Sequence, residues 1–304
     1  MNIRSLRYFL KVAEYGNVTR AAAELHLTQP ALTRHIALLE DELQAKLLMR
    51  HGRGVQLTEA GRLVTERAAI LIAQIEDLAD ELAARETQPQ GSLSVGLPYA
   101  WSQMAVEVLA RFRELHPDVR IRCIIDSSET LEGMLKSRYI DAAVLTLLED
   151  DAEIETRVLA NDNRFLFGPM DSDLRDIDHV PMTELAYRPI IRQHNATVSL
   201  KRMHQRLSRH GLTVNTVIET SSSMLLDLVE AGLGYVVMPG CALTLRGHNV
   251  KATRIEGLTT VWTFGRLKTR PRTAAIDVFD TLLRETMKPK VASGEWPAVT
   301  LMDV

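Results

Sequence analysis

The chain has 304 residues, 46% hydrophobic and 25% charged, with a formal net charge of −3, which fits two or three soluble globular units and excludes a disordered or fibrous protein. The N-terminus lacks a signal peptide's basic-then-apolar layout, and no run approaches the roughly 18 apolar residues of a membrane span, so a cytoplasmic protein without membrane partners is expected. Two cysteines without a CxxC pair, and no histidine cluster at ligand spacing, fit a reducing compartment and argue against a metal site.

Ile3, Leu6, Leu10 and Ala13 recur at three- and four-residue steps, so residues 3–15 are expected to form an amphipathic helix that Gly16 ends. Asn17 is placed to cap a second helix running through Arg20 to about His26, built around Ala21, Ala22 and Ala23. "LHLT" (25–28) then turns the chain. Thr28 caps a third helix whose first turn holds Gln29 and Pro30, where the N–H that proline lacks has no carbonyl waiting for it. Leu32, Ile36, Leu39 and Leu43 form the buried stripe, and Pro30, Thr33, Arg34 and Ala37 share the opposite face.

That face is polar and free of acids near the helix N-terminus, which suits a DNA major groove. Gln29 and Thr33 can bond base edges, and Arg34 can reach a guanine or a phosphate. Glu40, Asp41 and Glu42 follow at the end that should tilt away. "RHGRGVQLT" (50–58) reads as a hairpin wing turning at Gly52 and Gly54, with Arg50 and Arg53 flanking the backbone or minor groove. Thr19 and Arg20, at the start of the second helix, join the candidate contacts. A small helical bundle with an ordinary solvated face is the competing interpretation. Residues 1–58 hold eight basic against five acidic residues, net +3, whereas 59–90 sum to −4 and 91–304 to −2; the basic excess sits where phosphate attraction would need it.

From Thr58 to about Arg85 there is no proline, and Val64, Ala68, Leu71, Ile75, Leu78 and Leu82 alternate steps of four and three, a heptad seam. Because "ETQPQG" (86–91) then reads as a linker, this helix is expected to pair with a second copy, giving two heads for two half-sites. The body alternates short apolar strands with helical stretches, the mark of an open α/β sheet. "SLSVGLP" (92–98), residues 119–125 and 140–147 are strands separated by helices at 101–115 and 128–137. A second set follows from Arg164 to Lys268, and a helix over 272–287 closes the chain. The chain is expected to leave the first lobe near 160–163 and return near 268–270.

In such sheets ligands settle at strand ends and helix N-termini. That grammar selects Tyr99, Trp101 and Ser102 after the first strand, Ser127 and Ser128 after the second, and Thr146 after the third. In the second lobe it selects His194 and Ser222. Each serine could equally be a helix cap, and Trp101 could either face a flat ligand or pack between lobes.

The head motif, "LRYFLKVAEYGNVTRAAAELHLTQPALTRHIALLEDELQAKLLMRHGRGVQLTEAG" (6–61), resembles LysR-type transcriptional regulators, as do "GSLSVGLP", "FRELHPDV", "YIDAAVL" and "LVEAGLGYVVMP" further on. Gln44 and Arg138 stand where that family usually has glycine, and "ASGEWPAVTLMDV" at the end has no counterpart in its pattern. The resemblance implies an α/β chain with a winged helix-turn-helix (1–58), a linker and dimerisation helix with hinge (59–90), and a two-lobed, periplasmic-binding-protein-like effector domain (91–304). Lobe I would hold 91–162 and 269–304, and lobe II 163–268. It also implies promoter DNA as partner, a homodimer assembling to a homotetramer, contact with RNA polymerase, no cofactor, and a small anionic effector at Tyr99 to Ser102, Ser128, Thr146, His194 and Ser222. Neither a nucleophile elbow nor a metal or phosphate-loop motif supports an enzyme. Cys123 in an apolar strand and Cys241 after "MPG" read as buried thiols rather than redox sensors.

Overall fold

The structure, a computed structural model, describes residues 2–51, 54–83, 91–146, 151–176, 179–193, 198–270 and 272–302, with 73–74, 76–83 and 198–202 described by backbone alone. The chain divides into two compact units, 1–80 and 81–304.

In the first unit, α1 (Ile3–Tyr15) ends where Gly16 takes the left-handed conformation (φ 58°). Its inward face is Leu6, Phe9 and Val12; Ile3 is exposed and Leu10 only half-buried, because the bulkier Phe9 claims the centre of the core. Asn17 accepts a hydrogen bond from the Arg20 amide (3.0 Å) and starts α2 (Val18–Glu24), which buries Ala21 and Ala22. It stops before the expected His26, whose φ is +53°. The Thr28 hydroxyl accepts from the Ala31 amide at the start of α3 (Gln29–Glu42), and Leu32, Ile36 and Leu39 face inward.

β1 (Leu48–His51) and β2 (Gly54–Leu57) form the antiparallel wing, with Leu48 opposite Leu57. α4 (Glu59–Ala83) follows, its 25 residues reaching about 37 Å. Its start is locked to the wing. Thr58 accepts from the Gly61 amide (2.9 Å) and donates to the Lys46 carbonyl (2.6 Å), and a Cβ on Gly61 would lie 2.1 Å from the Leu47 carbonyl oxygen. Val64, Ala68 and Ile72 pack on the head's own core.

Glu40, at the end of α3 expected to tilt away from DNA, is buried. It accepts from Lys46 Nζ (2.6 Å) and from the backbone N–H groups of Leu47 (2.8 Å) and Leu48 (3.2 Å). Burial pushes its carboxyl up, but these hydrogen bonds together hold it below its ordinary value. The carboxylate thus ties the end of α3 to the start of the wing. A lowered folded-state value stabilises the head above the unfolded carboxylate range of about pH 4.3, and that contribution is lost as pH falls through the folded value. Glu40→Gln is therefore expected to lower thermal stability at pH 7 by roughly 1–3 kcal/mol and to flatten its decline on acidification. Circular dichroism melts of both proteins from pH 7 to pH 3 check this, and parallel declines would refute it.

The second unit opens with β3 (Ser92–Pro98), α5 (Ser102–Leu115), β4 (Arg120–Asp126), α6 (Ser128–Lys136) and β5 (Ala142–Leu145), with β3 parallel to both β4 and β5. The long β6 (Ile154–Pro169) is followed by β7 (His179–Val180), β8 (Ile190–Gln193), α7 (Val198–Arg209), β9 (Thr216–Thr220), α8 (Leu225–Glu230) and β10 (Val236–Pro239). The equally long β11 (Val250–Leu267), then α9 (Ala274–Ala292) and β12 (Val299–Leu301), complete it. The main sheet runs β10-β6-β11-β5-β3-β4, with β12 on β6 and β7 on β11, while β8 and β9 pair separately.

β6 and β11 are antiparallel along most of their length and belong to both lobes. Their partners change at the crossing: Asn163–Ala160 faces Thr259–Trp262, and from Thr263 β11 also pairs with β5. From Thr263 to Gly265 β11 thus pairs with a strand on each side, β5 and β6. Register shifts at Arg254/Thr259 and Trp262/Thr263 let one strand serve both lobes without a loop.

Gln44 and Arg138, the two positions where the LysR pattern has glycine, sit at φ 49° and 60°. Each holds an L-residue in the left-handed region, at a cost of about 1 kcal/mol. The closing residues, which have no counterpart in the LysR pattern, are built into the fold: α9 continues through Pro289 to Ala292, Trp296 is buried, and β12 pairs with β6.

Candidate DNA-binding face and effector cavity

Gln29, Pro30, Thr33, Arg34 and Ala37 are all exposed on one side of α3, with Thr28 as its cap. Gln29 Nε2 donates to the Thr33 hydroxyl (2.9 Å), which holds two groups able to read base edges side by side. Thr19 and Arg20 are exposed in the first turn of α2, and the Arg20 guanidinium lies 4.9 Å from the Tyr15 ring centroid, a cation–π contact that orients it. Arg50 is exposed on β1, whereas Arg53 lies outside the described residues.

Of the expected helix seam, Val64 is drawn onto the head core, while Leu71 and Ile75 are about two-fifths exposed (42% and 41%). The side chains of Leu78 and Leu82 lie outside the description. The head core thus takes Val64 and Ala68 from that seam, together with Ile72 beside it, and Leu71 and Ile75 stay exposed.

In the second unit one cavity of about 770 Å³, counting its open mouth, lies between strand ends of the two lobes. From the first lobe it takes Pro98, Tyr99, Asp126, Ser127, Ser128 and Thr146. Ser222, Ile190, Arg192, Leu225 and Met238 come from the second, and Arg164 and Trp262 from the two shared strands. Five expected residues, Tyr99, Ser127, Ser128, Thr146 and Ser222, thus meet in one place, while His194 lies outside the described residues.

Two expected residues do not join them. Trp101 is 1% exposed and packs edge-on against Trp262 and Trp296, and the Ser102 hydroxyl donates to the Tyr99 carbonyl (2.6 Å), closing the turn. The short 3-10 turn Tyr99–Trp101 precedes α5, with Trp101 buried and Ser102 half-buried at its end.

Local chemistry positions the polar groups. The Ser127 hydroxyl caps α6, accepting from the Thr130 amide (3.1 Å), and the Ser128 hydroxyl accepts from the Thr146 amide (3.2 Å). This stitches the α6 N-terminus to the end of β5. Arg164, unforeseen in sequence, is buried and donates through Nε to the Thr260 hydroxyl (2.7 Å). Burial pushes its guanidinium down to about 10, against the pull of nearby Asp162, so it stays cationic at neutral pH. Arg192 pairs with Glu219, and burial, aided by the Arg192 charge, lowers His204 and favours its neutral form. The sequence signal for Arg164 was weak: it opens the apolar run "RFLFG", but its strand also carries Glu155, Arg157 and Asp162.

The regulatory helix-turn-helix pattern of the lysR family matches residues 3–62, and the LysR substrate binding domain matches residues 86–288. The chain belongs to the LysR family of transcriptional regulators. This regulator is 30% identical over 263 residues to a probable cat1 operon transcriptional activator of Acinetobacter lwoffii, covering 84% of this chain and 86% of that one. It is 27% identical over 239 residues to the RuBisCO operon transcriptional regulator of Allochromatium vinosum, covering 78% and 79%. Its fold matches the crystal structure of CbnR, a LysR family regulator, with a TM-score of 0.70 at 20% identity over 94% of this chain and 99% of that one. A structure of CbnR with its target DNA matches with a TM-score of 0.68 at 20% identity, covering 94% and 100%. The regulator is thus a DNA-binding protein with a C-terminal effector-binding domain. Among the described residues no helix is long and apolar enough to cross a membrane, and no group of three His, Cys, Asp or Glu could hold a metal ion.

Proposed function

We propose that the regulator reads promoter DNA through Gln29, Thr33 and Arg34, with Thr19, Arg20, Thr28, Pro30, Ala37 and the wing arginines Arg50 and Arg53 along the backbone. Two copies pair through α4 at Leu71, Ile75, Leu78 and Leu82, two such dimers form a tetramer, and the assembly works in the cytoplasm on RNA polymerase. The head is assigned to residues 1–58, the connecting helix and hinge to 59–90, and the effector domain to the rest.

The effector is an organic anion with an apolar body. One observation carries this: the buried Arg164 shares a cavity with Ser127, Ser128 and Thr146, in walls that combine the polar Asp126, Arg192 and His204 with apolar side chains such as Ile190, Leu225, Val236 and Met238. The guanidinium and the α6 N-terminus attract a carboxylate, and the apolar walls hold what it is attached to. The effector need only bind one lobe arrangement more tightly than the other to shift the population.

A thermal-shift screen of small aliphatic and aromatic acids tests the assignment. An acid at about 100 times its dissociation constant is expected to stabilise the parent by roughly 2.7 kcal/mol, with that gain lost in Arg164→Met and reduced in Ser128→Ala. An acid that stabilises both variants as it does the parent would place the effector elsewhere.

A further inference from the structure

All three tryptophans of the chain meet in the second unit, at the lobe crossing. Trp101 stands edge-on to Trp262 and to Trp296, with ring centroids 5.4 Å apart in both pairs and interplanar angles of 78° and 85°. Trp262 also lines the effector cavity and donates through Nε1 to Asp162 (3.1 Å). Trp296, by contrast, comes from the closing segment, beyond residue 288 where the family match ends.

That segment is anchored at every step. The Trp296 amide donates to the Lys290 carbonyl (3.0 Å), and its indole is 1% exposed. The Ala298 carbonyl receives both the backbone amide (3.3 Å) and the side-chain amide of Asn163. Val299, Thr300 and Leu301 then pair antiparallel with Asp162, Asn161 and Ala160, and the Met302 amide donates to the Leu159 carbonyl (3.0 Å). These are the residues of β6 at which the strand passes from one lobe to the other.

Asp162 turns the tail's position into cavity geometry. Its wholly buried carboxylate receives Trp262 Nε1 and the amides of Gly240 and Cys241 (3.1 Å each), where β10 leaves the cavity wall. Burial pushes this carboxyl up, and the Trp262 indole and the Cys241 amide oppose it.

We infer that Trp296 is a positioning residue for the effector cavity: seated by the strap 295–302, it fixes Trp101 and Trp262 and so sets the wall that Trp262 and the end of β10 present to the ligand. This rests on the cavity being the effector site. The strap holds the crossing strand from the side opposite β11, so lobe movement must work against it.

The test uses the full-length protein and no ligand. Trp296→Ala, Trp296→Phe and Thr300→Pro are compared with the parent, the last because proline opposite Asn161 removes a ladder donor while keeping all three tryptophans. Trp296→Ala and Thr300→Pro are expected to raise acrylamide quenching of the remaining tryptophans about twofold. Both should also speed hydrogen exchange in peptides covering 159–164 and 236–244 by about tenfold, with β3 and α6 unchanged and the parent behaviour restored by Trp296→Phe. Parent-like exchange at Gly240 and Cys241 would overturn the inference. So would acceleration spread evenly over the second unit, since Trp296 would then be ordinary packing. The effector assignment stands or falls separately, on the Arg164 and Ser128 variants.

Discussion

Arg34→Ala is expected to weaken binding to the regulator's own upstream region by about 10²–10⁴-fold while leaving the head folded. Arg34 is exposed on the face of α3 opposite Leu32, Ile36 and Leu39, so truncating it opens no cavity. A guanidinium bidentate to a guanine contributes roughly 1–3 kcal/mol of discrimination, or about ten- to hundredfold at each half-site. In a dimer both heads carry the change, and well-separated losses add. Titrations on the upstream region and on random duplex, each at several salt concentrations, separate the roles. For a base-reading Arg34 the specific affinity collapses toward the random one, while the salt slope barely moves. If both affinities fall together and the log–log slope shrinks by about 0.9 per head, Arg34 grips phosphate. Unchanged binding removes it from the interface.

The head was legible in the sequence because its decisive signals are local. Gly16 stops a helix by its own backbone freedom, and Asn17 and Thr28 start the next ones by bonding amides three residues away. The central apolar stripe of α3 follows from its period alone. Glu40 was not legible: its partners Lys46, Leu47 and Leu48 lie across a turn, and nothing in "LLEDEL" separates a buried carboxylate from its solvated neighbours.

The same limit explains the second unit. Strand-end serines and threonines were found because strand, turn and helix cap are contiguous. Arg164 and Trp262 were missed because they enter the cavity from β6 and β11, far apart in the chain and joined only by pairing. For Trp101 the neighbours in sequence leave the cleft and interior packing both open, and Trp262 and Trp296, distant in the chain, supply the aromatic surface that draws it inward. β12 carries too few residues for any period to show, and its strand character comes wholly from β6.

The largest stability effect is expected at Asp141, on the turn that leads into β5. Its carboxylate is buried, pairs with the buried Arg270 guanidinium just beyond β11, and accepts the Ser94 amide of β3. One side chain therefore sets β5 against β3 and β11, the strands whose ends and flank carry Tyr99, Thr146 and Trp262 into the cavity. Asp141→Ala leaves a guanidinium buried beside a missing counter-charge and is expected to cost about 3–5 kcal/mol. Part of that, roughly 1–3 kcal/mol, belongs to the orphaned Ser94 amide, which an asparagine oxygen can still receive, so Asp141→Asn should cost less. The decisive variant is Asp141→Ala with Arg270→Met. Replacing both charges by apolar groups removes the uncompensated cation, so the double variant is expected to be more stable than Asp141→Ala alone, retaining only the Ser94 loss. Urea unfolding of the parent, both single variants and the double variant measures the coupling. If the two single losses simply add, the pair contributes no specific interaction, and the alignment of β5 must come from strand pairing alone.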